Sequence, residues 1–410
     1  MSALDLSRLD ELPGRRQAVE QVWTALPGAR LVGGVVRDLI TGHGIADIDF
    51  ATPEPPDIVM RRLASAHIRT IATGLAHGTV SALAHGHSLE ITTLRRDEET
   101  DGRHAVVAWT EDWREDAQRR DFTINAMSLS RDLTLFDYFH GLDDLAAHRV
   151  RFVGEAKTRI AEDALRILRY FRFDARYGGG IPDRDAVVAI EAAVSSLDRL
   201  SAERVWSELR RILTGPDLVR TIRLMHTLGV LERLLPGGVG PDHFSRLVAA
   251  GLPPDPVLRL AALLTGSAAP VAQALRLSNT DAARLVALQK PPIPSPGMDD
   301  ADLVRLLAND PADLLCGRAW LAQGRAQDSD DAAWEALRRR LASLPMPVFP
   351  LAGRDVVACG IPPGREVGRL LAQARDWWLG GGCVAGRAAS LDHVRSLALE
   401  SLSASGIPVR

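Results

Sequence analysis

From about Phe152 onward the sequence offers almost nothing but helical periods, whereas before it short β-like runs recur. The early runs are Arg30–Val32, Ile48–Ala51, Thr79–Leu83, Leu89–Thr93 and Thr134–Tyr138, with Ile58–Ala66 reading as a helix between them. This pattern predicts a small domain of sheet and helices. Beyond it, apolar residues keep helical spacing over Arg159–Arg176, Arg184–Ser195, Ala202–Leu213 and Asp217–Leu228. Proline-rich breaks at Pro253–Pro256 and Lys290–Pro296 mark joints between helical parts, and from about Pro345 the chain reads as a small terminal lobe. The division expected is therefore 1–150, 151–215, 216–344 and 345–410, an α+β architecture with its sheet confined to the first part. The triplet Arg338–Arg340 reads most simply as a solvated helix face.

With 410 residues, 46% of them hydrophobic, the chain is long enough for two or more cores. Its formal net charge of −3 carries no sign of a nucleic-acid partner, so any RNA contact must come from local basic patches. Cys316, Cys359 and Cys383 form no CxxC pair or close cluster, which argues against a zinc site or disulfide framework and fits a reducing compartment. The first residues lack a basic start followed by an apolar core, and no stretch approaches the ~18 apolar residues of a membrane span. A cytoplasmic location is expected.

Two elements suggest chemistry. In Leu31-Val-Gly-Gly-Val-Val-Arg-Asp-Leu-Ile40 a glycine pair separates an apolar run from a helix start. Such a helix end aims free N–H groups at an anion, and Arg37 adds a charged fork suited to phosphate. The Gly-Lys-Ser/Thr ending of a Walker loop is missing. Next comes Ala46-Asp-Ile-Asp-Phe-Ala51. Alternation on a strand places Asp47 and Asp49 on one face and Ile48 and Phe50 in the core. Paired carboxylates repel unless cations neutralise them, and two Mg²⁺ ions held there suit in-line phosphoryl transfer. Alternatively, Asp-x-Asp is a solvated strand edge. Glu90, in Leu89–Thr93, is a candidate third carboxylate or a surface charge.

Two further segments are candidates for nucleotide selection. In Arg119-Arg-Asp-Phe-Thr-Ile-Asn-Ala-Met127, Arg120 suits a triphosphate oxygen and Asn125 a ribose hydroxyl or a structural bond; a helix capped by Asp121 is the plainer alternative. In Glu162-Asp-Ala-Leu-Arg-Ile-Leu-Arg-Tyr-Phe-Arg-Phe173, one side is apolar, while Glu162, Asp163, Arg166, Arg169 and Arg172 spread over the other. That charged face is either solvated and salt-bridged or able to read a base. A carboxylate accepts from an exocyclic amine and an arginine donates to a ring acceptor, a pairing that C and A satisfy and U and G do not.

LVGGVVRDLI, DIDF, RRDFTINAM and EDALRILRYFRF, taken in order, resemble class II tRNA nucleotidyltransferases and bacterial poly(A) polymerases of the DNA polymerase β-like superfamily. Phe136–Leu145 resembles the motif linking head and neck, and Ser201–Arg210 the neck element. The resemblance implies a nucleotidyltransferase head with a mixed sheet, followed by an all-helical neck, body and tail, the tail binding tRNA. It implies that Asp47 and Asp49 bind Mg²⁺ and that Gly34 and Arg37 contact the nucleotide phosphates. Arg120 would contact the nucleotide, Asp163 and Arg166 would read its base, and Arg169 and Arg172 would assist. The substrates implied are CTP, ATP and the tRNA 3′ end.

Three activities share these motifs: full CCA addition, partial CC or A addition, and poly(A) synthesis. In the family a flexible loop between the metal strand and the RRD motif is associated with the switch from C to A. The polar stretch Leu94–Trp109 has the composition of such a loop. Complete CCA addition is therefore favoured, with poly(A) synthesis as runner-up. A non-catalytic RNA-binding relative would gain nothing from the paired aspartates.

Overall fold

The computed structural model describes residues 6–75, 78–100, 105–326 and 330–404. The chain divides into two compact units, Met1–Leu234 and Leu235–Arg410.

In the first unit, α1 (Arg15–Ala25) precedes β1 (Arg30–Val32), α2 (Gly34–Thr41), β2 (Asp49–Thr52), α3 (Pro56–Ser65), β3 (Arg69–Gly74), β4 (Thr79–Ala84) and β5 (His87–Thr93). Then come β6 (Arg95–Thr100), β7 (Ala105–Trp109), α4 (Trp113–Gln118), β8 (Ser128–Leu129), β9 (Leu135–Phe136) and α5 (Gly141–Ala146). Seven strands form one sheet in the order β3-β4-β5-β2-β1-β8-β9. β2 and β5 pair in parallel and the other neighbours are antiparallel, so the sheet is mixed, as the resemblance implies. Trp23 of α1 packs edge-on against Phe50 of β2, their ring centroids 5.7 Å apart, which anchors the central strands.

The polar stretch after β5 is not the irregular loop its composition suggests. β6 and β7 pair into a separate antiparallel ribbon, with Arg95 opposite Trp109. Residues 101–104, within the expected loop, lie outside the described residues.

Helices follow: α6 (Ala156–Glu162), α7 (Leu165–Tyr177), α8 (Arg184–Ala193), α9 (Ala202–Leu213), α10 (Leu218–Thr227) and α11 (Val230–Leu234). α9 has the bounds expected from its periodicity, because Val205, Trp206, Leu209 and Ile212 share one buried face. The run read as one helix over Arg159–Arg176 is instead broken at Asp163, which is extended at φ −151° and ψ 105°. Its carboxylate accepts from the Leu165 backbone N–H at 3.0 Å, so it restarts the helix rather than continuing it. Phe122, Phe152, Tyr170 and Phe173 form an aromatic cluster, with centroids 5.0 Å apart for Phe122–Phe152, that fastens these helices to the sheet domain.

The second unit is helical. One core gathers Leu303, Leu307, Leu315, Ala319, Trp334, Leu337 and Leu341; another gathers Leu351, Val356, Leu370, Ala374, Val394 and Ala398. The Arg338–Arg340 triplet is not simply a solvated face. Arg338 lies 3.4 Å over the Trp320 ring and Arg340 pairs with Asp300 at 2.7 Å, while Arg339 is exposed. No helix among the described residues is long and apolar enough to cross a membrane.

Candidate active site

β1 stops at Val32 and the chain turns through Gly33 with φ +73°. That left-handed turn suits glycine, and a Cβ there would also meet Arg120 Nη1 at 3.1 Å. α2 then starts at Gly34, whose neighbouring N–H groups have no acceptor within the helix. Arg37 is buried: it forks onto Asp38 at 3.0 and 2.9 Å, donates to Asn125 Oδ1, and lies 4.3 Å from the Tyr177 ring centroid. Tyr177 Oη donates to Asp38 at 2.7 Å, tying α7 to α2.

The DIDF alternation holds in space. Ile48 and Phe50 are buried, Asp47 is exposed and Asp49 is half-buried, although the strand begins only at Asp49. Burial, then the charges of Glu90 and Asp47, push the Asp49 carboxyl up to about 6 against the opposing pull of Arg120. Among the described residues no hydrogen bond or ion pair reaches either aspartate side chain. Two clustered carboxylates without donors are chemistry suited to cations. Glu90 stands opposite Asp49 in the parallel register. Among the described residues, however, no three His, Cys, Asp or Glu side chains are grouped to hold a metal. Glu90 thus adds negative charge without completing such a group.

Asp121 does not cap a helix. The short 3-10 turn Thr123–Asn125 begins after Phe122 without a side-chain cap. Asp121 is buried instead, accepting from Arg169 Nε at 2.7 Å, Asn125 Nδ2 at 3.1 Å and the Phe122 N–H at 2.9 Å. Arg120 pairs with Asp116 at 3.2 Å; Asp116 also accepts from Arg119 Nε at 2.9 Å and the Arg95 N–H at 3.3 Å.

Asp163 Oδ2 accepts from Arg204 Nη2 at 2.7 Å. Arg166 donates to Glu162 at 2.5 Å, the Arg159 carbonyl at 2.9 Å and the Arg119 carbonyl at 2.8 Å. Asp163 and Arg166 are thus held by different neighbours, and both line one cleft of about 530 Å³. Gly34, Arg37, Asp47, Asp49, Arg120, Arg169 and Arg172 line it too, so the nine residues to which the resemblance gave a role converge on it. Its six arginines outnumber its four aspartates, as suits a polyanion.

Comparison with known proteins decides the family. The description "Poly A polymerase head domain" matches residues 29–151, and "Probable RNA and SrmB-binding site of polymerase A" matches 182–239. The human mitochondrial CCA tRNA nucleotidyltransferase 1 is 39% identical over 364 residues, spanning 85% of this chain and 82% of its own. Its mouse counterpart is 38% identical over 366 residues, with the same coverage. The chain belongs to the CCA tRNA nucleotidyltransferase family. A crystal structure of the Bacillus stearothermophilus CCA-adding enzyme in complex with CTP superposes with a TM-score of 0.76 at 28% identity, covering 95% of this chain and 98% of that one.

For this family member the sequence reading missed cleft residues whose signals are not local. Arg204, Asp121, Leu165 and Phe173 also line the cleft. Arg204 lies within the neck-like element, but only the fold brings it to Asp163, 41 residues earlier. Asp121 stands in the RRD motif, where its role as a buried partner of Arg169 had no local mark.

Burial opposes ionisation of Asp121, but the charge of Arg169 and the hydrogen bonds from Asn125, Arg169 and Phe122 outweigh it and hold the carboxyl below its usual range. A depressed pKa contributes stability above the unfolded value of about 3.9, lost as pH falls through the folded value. Asp121→Asn should therefore cost about 1.5 kcal/mol at pH 7, the worth of a charge-assisted bond. The difference between variant and wild type should shrink below pH 4, read as denaturant midpoints across pH.

Proposed function

We propose that the cleft residues carry template-independent addition of C, C and A to the tRNA 3′ end from CTP and ATP. What supports this reading is one cleft lined by the acidic pair Asp47 and Asp49, by Asp163 and Arg166, and by further arginines. The Bacillus stearothermophilus CCA-adding enzyme, whose fold this chain shares, was solved in complex with CTP.

Asp47 and Asp49 would hold divalent cations, Mg²⁺ in our reading, which would activate the 3′-hydroxyl and offset the triphosphate charge. The N-terminal end of α2 at Gly34, with Arg37 and Arg120, would orient the phosphates. Arg169 and Arg172 would neutralise charge from α7. Asp163 would accept from the amine of C or A while Arg166 donates to the ring acceptor, and U and G would offer the reverse pattern. The 3′-oxygen gives its proton to solvent and forms a bond to the α-phosphorus. The bond from that phosphorus to the bridging oxygen breaks, and diphosphate leaves with the electron pair. Three free thiols agree with a reducing compartment, and we place the enzyme in the cytoplasm.

The deciding assay is Mg²⁺-dependent incorporation of labelled CTP and ATP onto tRNA lacking its 3′ terminus. No incorporation of either nucleotide would sink the reading.

The β6–β7 ribbon gives a second test. Its Arg95 N–H donates to Asp116, the residue that also holds Arg120, so ribbon and nucleotide cleft share a link. Replacing 95–103 with a short Gly/Ser linker should spare C addition and impair the final A. Measured product ladders in which C and A fall equally would remove the ribbon from the choice of nucleotide.

A further inference from the structure

A second cavity, of about 340 Å³, adjoins the cleft, and the two share Arg37, Arg172 and Phe173 as a common wall. Among the described residues no carboxylate lines it, and its cations are Arg37, Arg172, Arg176 and Arg211. Arg37 is tied to Asp38 and Arg172 to Glu208. Arg211 reaches Glu208 only at 3.5 Å and its side chain is 61% exposed. Arg176 is exposed, and among the described residues no ion pair reaches it. Four guanidinium groups against two carboxylates leave the cavity electropositive. Burial, with crowding from Arg169 and Arg211, holds the Arg172 guanidinium below its usual range despite the bond to Glu208.

We propose that this cavity receives the diphosphate released by nucleotidyl transfer, a product subsite beside the cleft. The inference rests on the nucleotidyl-transfer reading above. The shared wall includes Arg37, assigned to the nucleotide phosphates. The base-reading side chains Asp163 and Arg166, and the metal-binding Asp47 and Asp49, line the cleft and not this cavity. An anion leaving the phosphate end therefore meets Arg172 as part of both sites, then Arg176 and Arg211. A nucleic-acid strand is a poorer fit. Single-stranded sites use open aromatic faces on which bases stack. Here Arg172 already lies 4.5 Å from the Phe173 centroid, and Arg37 and Arg176 lie 4.3 and 5.8 Å from that of Tyr177. What remains are guanidinium donors, which suit an anion without a base.

The test uses the full chain with Arg176→Ala, Arg211→Ala and the double variant. Inhibition of CTP incorporation by added inorganic diphosphate is measured together with KM for CTP and for tRNA. In the double variant the diphosphate inhibition constant should rise about tenfold, the equivalent of one charge-assisted hydrogen bond. KM for CTP should stay essentially unchanged, and Arg→Lys variants should recover part of the loss. Both arginines lie near helix C-termini, where they also offset the helix dipole. If that is their whole role, Tm falls while the inhibition constant stays put, and the proposal is overturned. A rise in KM for tRNA with unchanged diphosphate inhibition overturns it in favour of a primer site. Calorimetric titration of wild type and variants with inorganic diphosphate, without CTP or tRNA, scores the cavity separately from turnover. A wild type that binds diphosphate more tightly than the double variant but never incorporates CTP would sink the reading of function and leave the cavity assignment standing.

Discussion

Asp47→Ala and Asp49→Ala should each reduce incorporation of CTP and ATP together by roughly 10²–10⁴-fold, with the fold intact. The magnitude follows from the several kcal/mol a catalytic cation contributes to the transition state. Neither carboxylate serves the fold through a hydrogen bond or ion pair to another described residue. Asp49, moreover, holds an unfavourable position: burial and the charges of Glu90 and Asp47 all resist its ionisation. Replacing it should leave thermal stability unchanged or raise it slightly, because a repulsion is removed. That combination of lost activity and undiminished Tm separates a metal site from a solvated strand edge, for which activity would persist. Substantial incorporation by either variant at saturating Mg²⁺ would end the assignment. Base choice should not shift in whatever activity remains, since in the proposed role the aspartates would act on phosphate and hydroxyl rather than on the pairing edge.

The sequence made legible those features whose physics is local. β1 and α9 have the predicted bounds because strand alternation and helical periodicity are carried by consecutive side chains. The DIDF face was readable for the same reason, although its strand begins only at Asp49. β3 escaped notice because it pairs only with β4 at the end of the sheet, so no buried alternation on both sides marks it. β8 is two residues long and offers no period. The ribbon of β6 and β7 follows from backbone pairing in a segment whose composition reads as loop. The break at Asp163 was hidden because the surrounding charges and apolar residues keep helical spacing across it; only its bond to the Leu165 N–H reveals a new start. The cleft members came from motifs, but their long-range pairings did not. Arg169 bonds Asp121, 48 residues away, and Arg172 bonds Glu208, 36 residues away, pairings that only the packing of α7 against its neighbours supplies.

Those partners sharpen what should follow from Asp163→Ala. In this structure Oδ1 accepts from the Leu165 N–H and Oδ2 accepts from Arg204. A carboxylate oxygen can accept more than one bond, so a nucleotide amine can join or replace Arg204 at Oδ2. Arg166, fastened to Glu162 and to two backbone carbonyls, presents its guanidinium in a fixed position, which is what a template-free reader of one base edge requires. Removing the Asp163 acceptor leaves the amine of C or A poorly matched in the cleft, at a cost of about 1–3 kcal/mol. The kcat/KM for CTP and ATP should fall by roughly ten- to a hundredfold, and their advantage over UTP and GTP should narrow. A purely structural Asp163 predicts otherwise. Loss of the hydrogen bond from the Leu165 N–H would cost about 1 kcal/mol of stability. Loss of the partly exposed Arg204 pair would add no more than about as much. The ranking of the four nucleotides would stay where it was. Measuring kcat/KM for all four on one tRNA primer, alongside the denaturant midpoint, separates the two. A destabilised variant with an unchanged ratio of CTP to UTP would assign Asp163 to the helix break alone and leave base choice to other residues of the cleft.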